Sequence, residues 1–250
     1  MRIIAVIPAR YKSSRFEGKP LADIHGKPMI WWVYQQVKKA RRLDEVYVAT
    51  DDERIEAVCH DYGMNVIMTS DTHLTPTDRL HEVSNLIDAE IYISVNGDEP
   101  LIQPETIESI IPPHSIDENE IYVSNLVSEI VNPVELADPS NLKVVINRQG
   151  KGIYISRSVV PFPKGSQQFN YKKHLGVYAF NKKSLNFYAD TKRGLIEEIE
   201  DIDLLRYIEN NIQVNFYVVS SSTLSVDTKS DLEVVRIKML ENDKKGVNEL

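Results

Sequence analysis

The sequence is short of cysteine, glycine and positive charge, and each shortage closes off a class of function. One cysteine, Cys59, stands among 250 residues. Neither an intramolecular disulfide nor a cysteine-rich zinc site can form from it, and a reducing cytoplasm is the expected setting. No stretch approaches the roughly 20 consecutive apolar residues of a membrane helix. The opening Met1-Arg2-Ile3-Ile4-Ala5-Val6-Ile7 reaches Pro8 too soon to read as a signal peptide. Acidic residues outnumber basic ones by 37 to 29, a net charge of −8, which argues against general nucleic-acid binding and leaves room only for a local basic pocket. With 10 glycines in all, the chain has neither a Walker A loop nor a G-x-G-x-x-G turn at its first strand, and it has no Ser-His-Asp elbow or H-E-x-x-H helix. What remains is ordinary globular material, 42% apolar and 26% charged, enough for one large domain or two small ones.

Ile3-Ile4-Ala5-Val6-Ile7 is a continuous apolar run, the pattern of a strand buried on both faces of a parallel sheet. Met29, Ile30, Val33, Tyr34 and Val37 then recur at helical spacing, with basic residues from Lys38 to Arg42 at the carboxyl end. Strands at 46–49, 66–68 and 91–95 alternate with helical stripes at Ile55–Tyr62 and Leu80–Ile87. This alternation predicts an α/β fold with a mostly parallel sheet. Such sheets bind ligands at the carboxyl ends of their strands, here residues 8–20, 50–54 and 96–100. The second half reads differently, as strands near 121–128, 142–147, 153–155, 174–180 and 213–219 with one long helix near 196–210. It is expected to be a strand-rich extension, an acceptor platform or dimerisation arm. The expected organisation is therefore one domain over 1–250: a nucleotide-binding half at 1–120, the extension at about 121–220, and a terminal part at 221–250. Ser230-Asp231-Leu232-Glu233 has the form of a capping box, and Asp243 to Leu250 is expected to fray.

The loop after the first strand, Pro8-Ala9-Arg10-Tyr11-Lys12-Ser13-Ser14-Arg15-Phe16-Glu17-Gly18-Lys19-Pro20, packs Arg10, Lys12, Arg15 and Lys19 into ten residues. Guanidinium forks, ammonium groups and serine hydroxyls together suit a polyphosphate. Asn96-Gly97-Asp98-Glu99-Pro100 puts a carboxylate at a strand end beside a glycine, a common position for magnesium. Magnesium takes one or two carboxylates plus substrate phosphates, and Asp227 is the best candidate for a second. Arg79 could reach a base or phosphate while Asp78 caps its helix. His174 reads first as a structural histidine at a strand start, and Glu197 to Asp203 as a solvated acidic helix face.

These residues resemble a known family. Pro8-Ala9-Arg10-Tyr11, Ser14-Arg15, Gly18-Lys19-Pro20-Leu21, Gly26-Lys27-Pro28-Met29-Ile30, Thr77-Asp78-Arg79-Leu80, Gly97-Asp98-Glu99-Pro100, Tyr154-Ile155-Ser156-Arg157, His174-Leu175-Gly176-Val177-Tyr178 and Val226-Asp227-Thr228 follow the order of motifs in the CMP-Kdo synthetases, the 3-deoxy-manno-octulosonate cytidylyltransferases. The resemblance spans nearly the whole chain. It implies a Rossmann-like nucleotidyltransferase, usually a homodimer, that uses CTP and magnesium. Carried over residue by residue, Pro8, Ala9, Arg10, Ser14, Arg15, Lys19, Arg79 and Asn96 would hold the nucleotide, with Ala9 and Arg79 at its cytosine and ribose end. Asp98 and Asp227 would bind magnesium, Arg15, Lys19 and Asp98 would be catalytic, and Arg157, His174, Tyr178 and Asp203 would face a small acidic acceptor.

The departures fall on the acceptor side. The family usually has Gln where this chain has Asn96, Ser-Gly-Thr where it has Thr75-Pro76-Thr77, and Glu-Gln-Leu-Arg where it has Asp203-Leu204-Leu205-Arg206. Losing the amide at Leu204 removes a donor and acceptor that a polyol would use. Two acceptors therefore compete, a Kdo-like sugar acid and a phosphate-bearing molecule such as phosphoglutamine, and Arg157 and His174 suit an anion in either case. A nucleotide-binding protein without turnover is the non-enzymatic reading, and the retention of Asp98 and Asp227 speaks against it.

Overall fold

The structure, a computed structural model, describes residues 1–13, 15–165, 169–220 and 223–247, with side chains to 241. The apolar run of β1 (Ile3–Ala9) is buried on both faces. The strand lies at the centre of the sheet because no solvated edge would accept it. A small hairpin, β2 (Asp23–Ile24) and β3 (Lys27–Pro28), leads into α1 (Met29–Lys38). The alternation continues through β4 (Glu45–Thr50), α2 (Glu53–Asp61), β5 (Val66–Met68), α3 (Pro76–Leu86), β6 (Ile91–Val95) and α4 (Pro104–Glu108). Strand β1 pairs in parallel with β4 on one side and β6 on the other, and β4 pairs with β5. The chain thus runs outward from β1 to β5 and then returns across it to β6. This reversal opens a crevice at the carboxyl ends of β1 and β6, the position where open α/β sheets take their ligands.

The second half joins the same sheet. It comprises β7 (Val123–Glu129), α5 (Pro133–Ala137), β8 (Lys143–Ile146), β9 (Gly152–Ser156), β10 (Lys172–Phe180), α6 (Lys182–Asp190), α7 (Leu195–Glu200), α8 (Leu205–Glu209), β11 (Asn215–Val219) and α9 (Lys229–Val247). The strand order is β11-β7-β10-β6-β1-β4-β5, with the β8–β9 hairpin branching from β10. Strand β10 is antiparallel to both β6 and β7, while β11 pairs in parallel with β7, so the fold is α/β and its central sheet is mostly parallel, with β10 the strand that runs against the others. Helices α1 and α2 cover one face through Ile30, Val33, Ile55 and Cys59, and α3, α6 and α8 cover the other through Leu80, Val83, Leu185 and Tyr207.

A third apolar cluster docks the end of the chain. Val226, Leu232, Val235 and Met239 pack on Ile24 and Met29, each contributing about 1.5–3 kcal/mol when fully buried. The Val226 amide donates to the Asp98 carbonyl at 2.9 Å, so this docking delivers Asp227 to the β6 end.

Three expectations need correction. The long helix near 196–210 is two short ones, because Asp201 adopts the left-handed conformation at φ 52° and ends α7. The capping box lies two residues earlier than Ser230. Thr228 Oγ1 accepts from the Asp231 amide at 3.3 Å while the Asp231 carboxylate accepts from the Thr228 amide at 2.8 Å. Residues 243–247, expected to fray, lie within α9, and 248–250 fall outside the described residues.

Candidate active site

At the carboxyl ends of β1 and β6 lies a cleft of about 500 Å³ lined by Pro8, Ala9, Arg10, Lys12, Ser13, Arg15, Lys19, Pro20, Pro76, Arg79, Asn96, Gly97, Asp98 and Asp201. Its cationic wall is the loop after β1. The loop closes on itself through the Gly18 amide, which donates to the Tyr11 carbonyl at 2.8 Å, and the Tyr11 ring carries the Arg54 guanidinium at 3.2 Å. Gly18 is required there twice over, by its φ of +70° and because a Cβ would meet the Tyr11 ring at 3.1 Å. Gly97 allows the β6 end to approach β1, since a Cβ would sit 3.1 Å from the Pro8 carbonyl oxygen.

Lys19 ties the site together. Its Nζ lies 2.7 Å from Asp98 Oδ2 and 3.5 Å from Asp227 Oδ1, and Arg15 Nη2 lies 3.1 Å from the same Asp227 oxygen. Two carboxylates 129 positions apart in sequence therefore converge on one ammonium group. Asp98 Oδ1 is buried and has no hydrogen-bond partner among the described residues. This is the donor set that a hard divalent cation takes, two carboxylates with one oxygen unspent and phosphate groups expected alongside. The residues fit magnesium.

Arg79 is 1% exposed, with Nη1 donating to Thr69 Oγ1 and Nη2 3.2 Å from Asp51 Oδ1. Neither Nη2 nor that oxygen has hydrogen-bond geometry to any group among the described residues. Burial lowers the pKa of Arg79 and Asp51 counters it. The result is a buried cation at the cleft with a donor to spare.

Behind Asp98, Glu99 is buried, and its Oε1 accepts from the Gly176 amide at 2.9 Å. Gly176 makes this possible, because a Cβ there would come within 2.5 Å of Asn96 Nδ2 and Glu99 Oε1. Burial and the neighbouring Asp98 charge push Glu99 up to about 7.

The chain matches the cytidylyltransferase family model over residues 4–214. This chain belongs to the cytidylyltransferase family. It is 40% identical over 235 residues, 93% of its own length and 96% of the relative's, to the 8-amino-3,8-dideoxy-manno-octulosonate cytidylyltransferase of Shewanella sp. (strain W3-18-1). It is 39% identical over 238 residues, 95% of its length and 96% of the other's, to the 3-deoxy-manno-octulosonate cytidylyltransferase of Escherichia coli. A solved CMP:2-keto-3-deoxy-manno-octonic acid synthetase complexed with CTP superposes with a TM-score of 0.90 at 39% identity, covering 97% of this chain and 100% of that one. The inositol-1-phosphate CTP transferase of T. maritima, at 18% identity and a TM-score of 0.63, shares the fold.

Of the residues that the sequence singles out in this cytidylyltransferase, Pro8, Ala9, Arg10, Arg15, Lys19, Arg79, Asn96 and Asp98 line the cleft, and Asp227 joins them through Lys19 and Arg15. Ser14 lies outside the described residues. Arg157, His174, Tyr178 and Asp203 do not line the cleft. Arg157 donates to the carbonyls of Glu200 at 2.6 Å, Asp201 at 3.1 Å and Pro139 at 3.3 Å, so its guanidinium holds backbone and is not a free anion site. His174 stacks against Tyr178 with ring centroids 5.0 Å apart, and burial pushes it down to about 4. His174, expected either as a structural histidine or facing an acidic acceptor, is therefore a neutral imidazole at pH 7. Tyr178 is raised by burial and by the charges of Asp203, Glu99 and Asp98. Asp203 is itself raised by burial and accepts from Thr77 Oγ1 at 2.7 Å. The acidic stretch after Arg193 is not simply a solvated face: Glu197 is fully buried and takes Arg206 through both oxygens at 2.6 and 2.7 Å. Sequence reasoning gave no cleft role to Pro76 or Asp201. Asp201 carried no signal beyond membership of an acidic run.

Proposed function

We propose that this enzyme transfers a cytidylyl group from CTP to a small acidic acceptor, a sugar acid of the octulosonate kind on which its relatives act, and releases pyrophosphate. The convergence of Asp98 and Asp227 on Lys19, beside the cationic loop, carries the reading. The acceptor oxygen attacks as the oxyanion and forms a bond to the α-phosphorus. The bond from that phosphorus to the bridging oxygen breaks, and pyrophosphate leaves with the electron pair. Charge grows on the α-phosphate and on the leaving oxygens. Arg15 and Lys19 would neutralise it, and Arg10 and Arg79 would orient the nucleotide, a reading supported by all four lining the same cleft. Asp98 and Asp227 would hold magnesium, which supplies Lewis-acid stabilisation of the phosphoryl oxygens when bound. No side-chain nucleophile is required.

A second acceptor reading, a phosphate-bearing molecule such as phosphoglutamine, is favoured by Leu204. Its side chain is 1% exposed among Leu205, Tyr207 and Phe180, so it offers a polyol no hydrogen bond.

The reading includes a homodimer in a reducing cytoplasm. Edge strand β11 exposes Tyr217 and Val218, and exposed Val131 and Val134 support a covered face. Sizing in solution tests this. No helix among the described residues is long and apolar enough to cross a membrane.

Pyrophosphate release from CTP with magnesium and a panel of sugar acids and acid phosphates tests the activity. Asp98→Asn is expected to lower kcat by at least about a hundredfold while CTP binding, read by calorimetry, changes far less. Unchanged kcat would remove Asp98 from the chemistry.

A further inference from the structure

Of the three strand-end loops that the sheet offers to a ligand, the one after β4 sends no side chain to the cleft lining. It stands behind the lining and meets it at Arg79. Arg79 lies in the first turn of α3, whose cap is Thr75. A cation there is disfavoured on three counts. It is buried at 1% exposure, it sits at the positive end of a helix dipole, and Arg10 adds like charge.

Two groups from the β4 and β5 ends hold it. The Thr69 hydroxyl donates to the Thr50 carbonyl at 3.1 Å, which leaves its lone pairs to accept from Arg79 Nη1. Asp51 Oδ1 stands 3.2 Å from Nη2 and makes the one ion pair of Arg79 among the described residues. The other carboxylate whose charge reaches Arg79, Glu82, is taken by His73 and by the Ser70 amide.

The pair with Asp51 is incomplete. Nη2 and Oδ1 are both buried, and neither has a hydrogen bond among the described residues. An ion pair at contact distance with its hydrogen bond unmade neutralises the guanidinium and leaves one of its donors without an acceptor. Arg79 is thus kept charged and in place, with a donor held back at the cleft. Asp51 is itself shut off from the cleft, because its Oδ1 is buried and the residue is not part of the lining. It can act on a ligand only through Arg79.

We propose that Asp51 is a positioning residue for nucleotide binding: it supplies the counter-charge that fixes the buried Arg79 guanidinium at the cleft, and it touches no substrate. This deepens the reading of the cleft as a CTP site and rests on it. Arg79 is not among the groups that meet at Asp98 and Asp227, so the effect of losing Asp51 falls on CTP affinity.

Calorimetric titration with CTP and magnesium tests this on the wild type, Asp51→Asn, Arg79→Met and the double variant. Asp51→Asn is expected to weaken CTP binding about tenfold at unchanged stoichiometry. A merely structural lesion would lower the stoichiometry instead, because misfolded protein drops out and the remainder binds as the wild type does. The double variant is expected to bind CTP within about twofold of Arg79→Met, because Asp51 then has nothing to position. That comparison holds even where Asp51→Asn alone does not fold, since the double variant buries no unpaired charge. A wild-type dissociation constant in Asp51→Asn overturns the inference and leaves the CTP site standing. So does a double variant that binds CTP more than about twofold more weakly than Arg79→Met. No CTP binding by the wild type overturns the CTP reading, and the inference with it.

Discussion

Replacing Lys19 by methionine tests whether its ammonium group is the counter-ion of a metal site. Nζ bridges Asp98 and Asp227 at 2.7 and 3.5 Å, with side-chain exposures of 17%, 21% and 28% for the three residues. An incoming divalent cation must displace that ammonium. A hydrogen bond to a charged group at such a site is worth about 1.5–3 kcal/mol, and every 1.4 kcal/mol is tenfold in affinity. Without nucleotide, Lys19→Met should therefore bind Mn2+ about ten- to a hundredfold more tightly than the wild type, read from the free-ion electron paramagnetic resonance signal. The variant leaves two partly buried carboxylates facing each other, so without metal it should lose about 1–2 kcal/mol of stability, which added Mn2+ restores. Lys19→Arg keeps the charge and should keep the competition. Equal Mn2+ affinities for wild type and Lys19→Met would refute the arrangement, because the ammonium would then not be occupying the cation's place.

Buried Glu99 and half-buried His174, both near the site, should give opposed pH dependences. His174 is held at about 4 against an ordinary 6.5, so the unfolded chain takes up the proton first and stability falls as pH drops from 6.5 to 4. Glu99 is held at about 7 against 4.5, so the folded protein keeps the proton longer and stability falls as pH rises from 4.5 to 7. Each effect amounts to at most about 3 kcal/mol across its window. Melting temperatures of Glu99→Gln should rise more steeply with pH than those of the wild type, those of His174→Asn less steeply, and parallel profiles would refute both assignments. Away from the cleft, Glu197→Gln strips the charged partner from the Arg206 guanidinium, buried at 5% exposure and otherwise bonded only to the carbonyls of Tyr188 and Thr191 among the described residues. It should cost about 3–5 kcal/mol, a fall of about 6–20 °C in Tm for a chain of this size, and a loss under 2 °C would show that Arg206 finds other partners.

The sequence was most readable where chemistry and burial agree. The apolar run of β1 and the four cations after it sit together because a doubly buried strand must end at a loop, and the loop is free to carry charge. Asp98 was legible for the same reason. Asp227 was legible as the best candidate for a second carboxylate, but its meeting with Lys19 was not, since that depends on Val226 and Leu232 packing against Ile24, a contact across some two hundred positions. The acceptor side was least readable. Nothing local distinguishes an arginine that binds a ligand from one that binds carbonyls, so Arg157 reads as an anion site in the sequence although its guanidinium donates to three carbonyls. The expected helix at 196–210 failed on one backbone conformation, that of Asp201, and the same conformation brings Asp201 into the cleft lining.

The separate docking of α9 bears on how the site behaves as a whole. Asp98 stands at the end of β6, whose residues lie in the two large apolar clusters of the sheet, whereas Asp227 depends on a third and smaller cluster built on α1 and the β2–β3 hairpin. Opening free energies follow local packing, so the segment carrying Asp227 can loosen while the sheet and the cationic loop stay folded. One half of the carboxylate pair is therefore held rigidly and the other by a helix that can come away. Lys19 and Arg15 both reach Asp227 from the loop, so those two ion pairs couple the end of the chain to its first turn, beside the Arg236 guanidinium on the Asp23 carbonyl and the Val226 amide on the Asp98 carbonyl. The same two side chains are the ones best placed to meet the triphosphate. Binding the nucleotide draws on the contacts that hold Asp227 in place, and a cation shared by both aspartates would take over that role as the phosphates claim Lys19 and Arg15.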